Sequence, residues 1–237
     1  ELDKLGYDRY WFAEHHGFEN LLSIAPEIIA SYFLAETENI IIGTGGTMVM
    51  HYSPLKVAET FKTMAELAPG RVDLGIGRAP GSGPLEMRAL NQNFPIKTRD
   101  LNQEIKVILD YLEDKTPNDP IYKRAKAMPS NNEKLVMPWM LGSTGQAMGM
   151  AAEWGLPYSH AKFFSQETPS ALFKNYKDSF KPSNFADKPY ISMSYKMLIS
   201  DDKEELEYLA KSFDYSHIQQ AKGEKGGLID PELVKDY

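Results

Sequence analysis

The 237-residue sequence contains no cysteine. Disulfides, thiolate nucleophiles, cysteine-ligated zinc and iron–sulfur clusters are thereby excluded for these residues. Positive charge is in deficit: 26 Lys and Arg stand against 33 Asp and Glu, a net charge of −7. A surface of that sign does not suit general binding to nucleic acid or anionic membrane, so neither partner is expected. No apolar run approaches the roughly 18 residues that a membrane-spanning helix needs, and no signal-peptide pattern opens the sequence. Cytoplasm is then the default expectation. Low-complexity tracts are missing too, and what remains is an ordinary globular composition, 42% hydrophobic and 25% charged, long enough to bury a sizeable core.

Periodicity gives short apolar runs alternating with amphipathic segments. The runs fall near 8–14, 39–43, 71–77, 136–141, 157–162 and 190–199, and the helical segments near 24–37, 54–68, 98–113, 145–154, 169–180 and 202–222. Ser53-Pro54 places an N-cap oxygen before a proline at the first helical position, and Pro69-Gly70 stops the same helix. Asp201 or Asp202 is placed to cap the last helix.

Such alternation implies a parallel sheet covered by helices, and Ile40-Ile41-Ile42 has the continuous apolar character of a buried parallel strand. The α/β fold class is therefore a barrel or an open doubly wound sheet. Six strand–helix pairs are legible, whereas a closed barrel has eight. The opening ELDKLGYD reads as the last turn of a helix, with Lys4 near its end and Gly6 as a left-handed stop, and LIDPELVKDY reads as the start of another element. The expectation is one domain over 1–237, a barrel lacking its first strand and its C-terminal end in this sequence. The joints near 93–98 and 217–230 are expected to be incomplete.

In parallel α/β folds chemistry gathers at the carboxyl ends of the strands. Four stretches fall there. In 10-YWFAEHHGFEN-20 an apolar strand runs into Glu14, His15 and His16, which are suited to acid–base work or to hydrogen-bonding a heterocycle; a solvated loop is the plainer alternative. Adjacent histidines on a strand point to opposite faces and chelate poorly, and no spaced third ligand is present, so no metal is expected. The second stretch, 43-GTGGTMVMHYSP-54, has three glycines in four positions, where a flat ring could lie against bare backbone or a β-bulge could sit. In 75-GIGRAPGSGP-84, Arg78 is suited to grip an anion or to pair with Glu14. In 141-LGSTGQAMGMAAEWG-155, a strand passes through Gly142, Ser143 and Thr144 into a helix start that offers N–H groups and hydroxyls to an anion. Ser143 as a simple N-cap is the alternative. The P-loop lysine is absent, which points to a single phosphate monoester, as on flavin mononucleotide, in place of a triphosphate.

Taken together, YWFAEHH, IGTGGTMVMHYSPLKVAE, LAPGRVDLGIGRAPG and LGSTGQA with AAEWGLPY resemble, in order, the bacterial luciferase-like flavin-dependent monooxygenases. The likeness runs from Leu5 to about Ser200 and is nearest the subgroup carrying GRAPG. It implies a (β/α)8 TIM barrel whose second to seventh strands are present here. It also implies reduced FMN as co-substrate, O2, a small organic substrate, a separate flavin reductase and a homodimer built on the helices after Asn20 and Ser53. By the resemblance, His15 and Glu14 are the catalytic candidates. Thr44, Gly45 and Gly46 lie against the isoalloxazine, with a non-proline cis peptide at Gly45–Gly46. Arg78, Gly142, Ser143 and Thr144 hold the phosphate. Gly77 stands where the luciferase subunit has a reactive cysteine, so light emission is not implied. Two other readings are a flavin-binding protein without catalysis and a deazaflavin-dependent hydride-transfer enzyme.

Overall fold

Six short strands, all parallel, lie side by side in the order of the chain. The computed structural model describes residues 1–19, 21–91, 100–130, 136–164, 170–222 and 228–234. Its elements are β1 (Arg9–Phe12), α1 (Pro26–Ala35), β2 (Ile41–Met48), α2 (Pro54–Leu67), β3 (Val72–Gly77), α3 (Pro84–Leu90), α4 (Leu101–Leu112), β4 (Val136–Gly142), α5 (Gly145–Trp154), β5 (Tyr158–Ala161), α6 (Ser170–Ser179), β6 (Ile191–Ser194) and α7 (Lys203–Ala221).

The chain divides into two compact units, residues 1–17 with 21–194, and residues 18–20 with 195–237. The first holds the sheet and α1 to α6. In the second, Asp202 caps α7, its Oδ1 accepting from the Glu204 N–H at 2.8 Å. Ser212 of α7 donates to the Ile229 carbonyl and accepts from its N–H. Among the described residues no helix is long and apolar enough to cross a membrane. The joint expected near 93–98 lies outside the described residues, as do residues 223–227 of the one expected near 217–230.

Strand alternation sorts side chains into two rows. On β1, Tyr10 and Phe12 meet edge to face and Phe12 stacks on Phe33 of α1. On the same helix-covered row stand Ile42, Val72, Leu74, Ile76, Val136, Met140 and Tyr158, all buried. They pack on Ala58, Phe61 and Ala65 of α2 and Ile105, Ile108 and Leu109 of α4. The opposite row is unlike it: Arg9, Trp11, Gly43, Asp73, Gly75, Trp139 and Ser159. That mixture of glycine, tryptophan and charge is where the sheet departs from a plain apolar interior.

Local punctuation follows the residues. Gly6 takes φ +79° and closes the opening helical turn, in which Leu5 N–H donates to Glu1 O. Ser53 does stand at the N-cap of α2 ahead of Pro54, but its side chain makes no capping bond. Buried Lys62 donates to Asp114 Oδ1 at 2.5 Å and to the carbonyls of Tyr111 and Ala127, tying the connection after α4 to α2.

Three expectations are corrected. The second strand does not stop at Gly43 but runs to Met48. Its glycines are extended backbone, spaced so that β2 and β3 approach too closely for side chains. The last run shortens to Ile191–Ser194, because the alternation after it has no neighbouring strand to pair with among the described residues. And α3 occupies Pro84–Leu90, a helix that its Gly-Pro start announced but its short apolar pattern hid.

The close approach of β2 and β3 is testable. A Cβ on Gly43 would lie 2.0 Å from the Asp73 carbonyl oxygen, whereas one on Gly149 of α5 would meet nothing within 4 Å. Gly43→Ala is expected to cost about 1–3 kcal/mol through overpacking. Gly149→Ala is expected to stabilise by about 0.5–1 kcal/mol through lost unfolded-state entropy. Thermal unfolding of the two variants should therefore move in opposite directions, and equal shifts would contradict the packing described.

Candidate active site

Because every strand is parallel, the four motif-bearing loops leave the sheet along one edge. The first visible strand ends at Phe12, and Glu14 turns back under the edge, fully buried. Its carboxylate accepts three hydrogen bonds: from the Met48 N–H at 2.8 Å, from the Tyr52 hydroxyl at 2.7 Å and from His16 Nε2 at 2.8 Å. A carboxylate has no proton to give at these distances, so His16 carries its proton on Nε2. Burial and the adjoining Glu14 push the Tyr52 phenol far above the ordinary tyrosine value. Tyr52 therefore donates throughout the working range.

A second histidine layer lies beside the first. His51 donates from Nε2 to the Pro80 carbonyl at 2.7 Å, leaving Nδ1 to accept from Asn91 Nδ2 at 2.8 Å. Asn91 Nδ2 also donates to the Met87 carbonyl. The His16 and His51 rings meet edge to face with centroids 6.0 Å apart. The His16 N–H donates to the Gly81 carbonyl, and His16 and Ser82 form an isolated bridge. The Gly-Arg-Ala-Pro-Gly loop is thereby fastened to the ends of β1 and β2. His15 is half-buried and its backbone N–H donates to the Ser23 carbonyl.

On β2 the register against β3 slips between Thr44 and Thr47, so three steps on β2 match two on β3. The slip is a bulge, and the Gly45–Gly46 peptide inside it is cis. The bulge of the plainer reading and the cis peptide that the resemblance implies fall at the same place. Thr44 is buried and its hydroxyl accepts from Thr47 Oγ1 at 2.9 Å. A Cβ on Gly46 would lie 2.7 Å from both the Gly75 carbonyl and Leu141 Cδ1; only hydrogen fits.

Arg78 follows β3 directly. It makes no ion pair with Glu14, whose partners are those above. Its Nε is buried and has no hydrogen-bond partner among the described residues. The last registered pair of β3 and β4 is Ile76 with Met140, so Arg78 and Gly142 stand two residues further along neighbouring strands. After Gly142 the chain turns through Ser143, which is not the cap: Thr144 is, with φ −127° and ψ 162°, and its side chain makes no capping bond. The first amides of α5 are thus left without a side-chain acceptor.

An unpaired buried guanidinium N–H beside an uncapped helix start, with a backbone cradle next to it, fits a phosphate-bearing planar cofactor. The sequence-predicted residues come together along this edge. Glu14, Arg78, Ser143 and Thr144 lie just beyond the ends of β1, β3 and β4 and Gly142 ends β4, while Thr44, Gly45 and Gly46 lie within β2, level with and just past the end of β1. Sequence reasoning missed Tyr52, His51 and Asn91; the histidine and tyrosine sit inside the quoted HYSP stretch, but nothing in their spacing tells that they face Glu14 and Pro80. Among the described residues no group of three or more His, Asp or Glu is arranged to hold a metal.

The chain belongs to the luciferase-like monooxygenase family, whose sequence profile matches residues 1–230. It is 33% identical over 229 residues to a luciferase-like monooxygenase of Escherichia coli K12, covering 97% of this chain and 67% of that protein. Among solved structures, apo-MsnO8 superposes with a TM-score of 0.84 at 30% identity, covering 98% of this chain and 67% of that one. Two more distant structures share the fold. One is the oxygenating constituent of the Pseudomonas putida 3,6-diketocamphane monooxygenase in complex with FMN (TM-score 0.64, 16% identity, 99% of this chain and 73% of that one). The other is an F420-dependent secondary alcohol dehydrogenase in complex with an F420–acetone adduct (TM-score 0.69, 19% identity, 98% and 73%).

The Tyr52–Glu14 contact carries a pH prediction. The folded-state pKa of Tyr52 is raised, so its contribution to stability is fully present below the unfolded tyrosine value near 10 and is lost as pH rises beyond it. Tyr52→Phe should therefore lower stability at pH 7, by about 0.5–1.5 kcal/mol for one hydrogen bond, and should make the alkaline fall above about pH 10 shallower. Unfolding midpoints measured from pH 7 to 11 test both; parallel curves for the two proteins would sink the assignment.

Proposed function

We propose that this protein is a flavin-dependent monooxygenase of the two-component kind, using reduced FMN from a separate flavin reductase and O2 to oxygenate a small organic substrate. The observation that carries the reading is the buried, unpaired Nε of Arg78, two residues past the last registered β3–β4 pair and beside the uncapped start of α5. In this reading Arg78, the turn Gly142–Ser143–Thr144 and the first amides of α5 hold the phosphate. Thr44, Gly45 and Gly46 offer the ring a surface without side chains. Bound flavin supplies the oxygen chemistry, and the protein supplies orientation and exclusion of water.

His15 is the group that holds or moves a proton near the ring. Glu14, matched with it as a catalytic candidate, takes a positioning part: all three of its acceptor contacts are spent on Met48, Tyr52 and His16. The F420-dependent neighbour favours a second reading, hydride transfer with a deazaflavin on the same scaffold. A cytoplasmic homodimer completes the reading. Exposed Ile28, Tyr32 and Leu67 on α1 and α2, with a groove of about 880 Å³ between those helices, are its expected contact face.

Anaerobic titration with reduced FMN, then mixing with O2, tests the proposal. Tight binding followed by a long-lived near-ultraviolet absorbance distinct from oxidised flavin is the expected result. Immediate flavin oxidation points to a carrier, and exclusive retention of F420 to the hydride-transfer reading. Arg78→Ala removes a charged hydrogen bond of about 1.5–3 kcal/mol and should weaken FMN binding roughly 10- to 150-fold. Unchanged affinity would remove Arg78 from the phosphate site.

A further inference from the structure

The row of side chains facing away from the helices contains a buried carboxylate that the reading above does not use. Asp73, the second residue of β3, is about 1% exposed. Its Oδ2 accepts from Trp11 Nε1 at 2.9 Å and from Arg9 Nε at 3.0 Å. Burial pushes its carboxyl above the ordinary carboxylate value, against the pull of Arg9 and the Trp11 bond. The Arg9 guanidinium also lies over the Trp139 ring, 5.3 Å from its centroid. Trp11 and Trp139 meet edge to face at 5.1 Å, and Trp139 meets Tyr190 in the same way at 5.3 Å. The indole of Trp11 is thus fixed at its N–H by Asp73 and at its edge by Trp139.

What that indole touches is the cofactor cradle. A Cβ built on Gly45 would lie 2.9 Å from Trp11 Cβ and 3.2 Å from Trp11 Cε3. Trp11 therefore packs directly against the Gly45 backbone, and moving the indole moves that backbone or opens a gap beneath it.

We propose that Trp11, oriented by Asp73, is a positioning residue for the cofactor ring: it buttresses the Gly45 backbone from within the sheet and so fixes the plane on which the ring rests. The inference rests on the flavin reading above and adds two residues to it. Asp73 reaches Gly45 through Trp11, whose indole N–H its carboxylate accepts, while its own backbone lies against Gly43, two residues earlier on β2.

The sequence contains three tryptophans, which makes the test direct. Protein labelled with 5-fluorotryptophan is titrated with FMN and followed by 19F NMR, while flavin fluorescence reports binding. Signals are assigned from Trp139→Phe and Trp154→Phe, so Trp11→Phe need not fold for the test to run. The expected result is a shift of the Trp11 signal that saturates with FMN, while Trp154 on α5 stays in place. Trp11→Phe and Asp73→Asn should each weaken FMN binding about 3- to 10-fold and alter the visible circular dichroism of the bound flavin at saturation. The double variant should be no worse than the more affected single one, since both act through one contact. A merely structural role would lower the unfolding midpoint and leave the spectrum of the saturated flavin unchanged. FMN uptake with an unmoved Trp11 signal overturns this inference alone. Failure of the wild-type protein to take up either FMN or anaerobically reduced FMN overturns the flavin reading and this inference with it.

Discussion

The site depends on one buried carboxylate. Removing Glu14 from water costs several kcal/mol, and the fold recovers that cost only because three donors converge on it from different places: the Met48 amide at the end of β2, the Tyr52 hydroxyl just beyond it, and His16 on its own loop. Each donor fixes something else. Met48 ends the bulged strand, and Tyr52 sets the approach to α2. His16 carries the loop after β1 across to Gly81 by its backbone N–H. Gly81, at φ +58°, would bring a Cβ within 2.7 Å of the Glu14 carbonyl, so only glycine fits on both counts. His51 then holds Pro80. The loop that carries Arg78 is placed by this chain of contacts.

The two faces of the sheet divide the work. The helix-covered face is a conventional apolar interior, and its burial supplies most of the drive to fold. The other face carries charge, indole and glycine, which cost stability by themselves, and its buried carboxylate is held by two donors. Asp73 takes Arg9 and Trp11 as donors. Gly43, Gly45, Gly46 and Gly75 contribute no packing of their own; they let β2 and β3 close up and leave bare backbone at the sheet edge.

This explains which features were legible in the sequence. The helices other than α3 were, because their faces are set by periodicity and by local stops such as Gly70 at φ +73°. The strand ends were, since a motif such as YWFAEHH changes character where the sheet stops. The length of β2 was not: GTGGTM lacks the apolar signature of a buried strand because its partner is another backbone. The cis bond at Gly45–Gly46 entered through resemblance. Composition alone left a bulge and a ligand surface as rivals. The Glu14 partners Met48 and Tyr52 were hidden for a different reason. They lie 34 and 38 residues away, and only the parallel register brings those loops to one edge.

Glu14 and Asp73 are the same solution at two depths. Both are buried, and both gather donors from elsewhere in the fold: Met48, Tyr52 and His16 for Glu14, and Arg9 and Trp11 of β1, across the intervening β2, for Asp73. Neither has the open geometry of a general base, which must reach the proton it removes. Under the flavin reading proposed above, imidazole is the side chain suited to moving a proton near neutral pH. His16 and His51 are already committed, the first to Glu14 and the second to Pro80 and Asn91. The loop that carries His15 is held between these contacts, with the His15 backbone N–H on the Ser23 carbonyl and the His16 N–H on the Gly81 carbonyl.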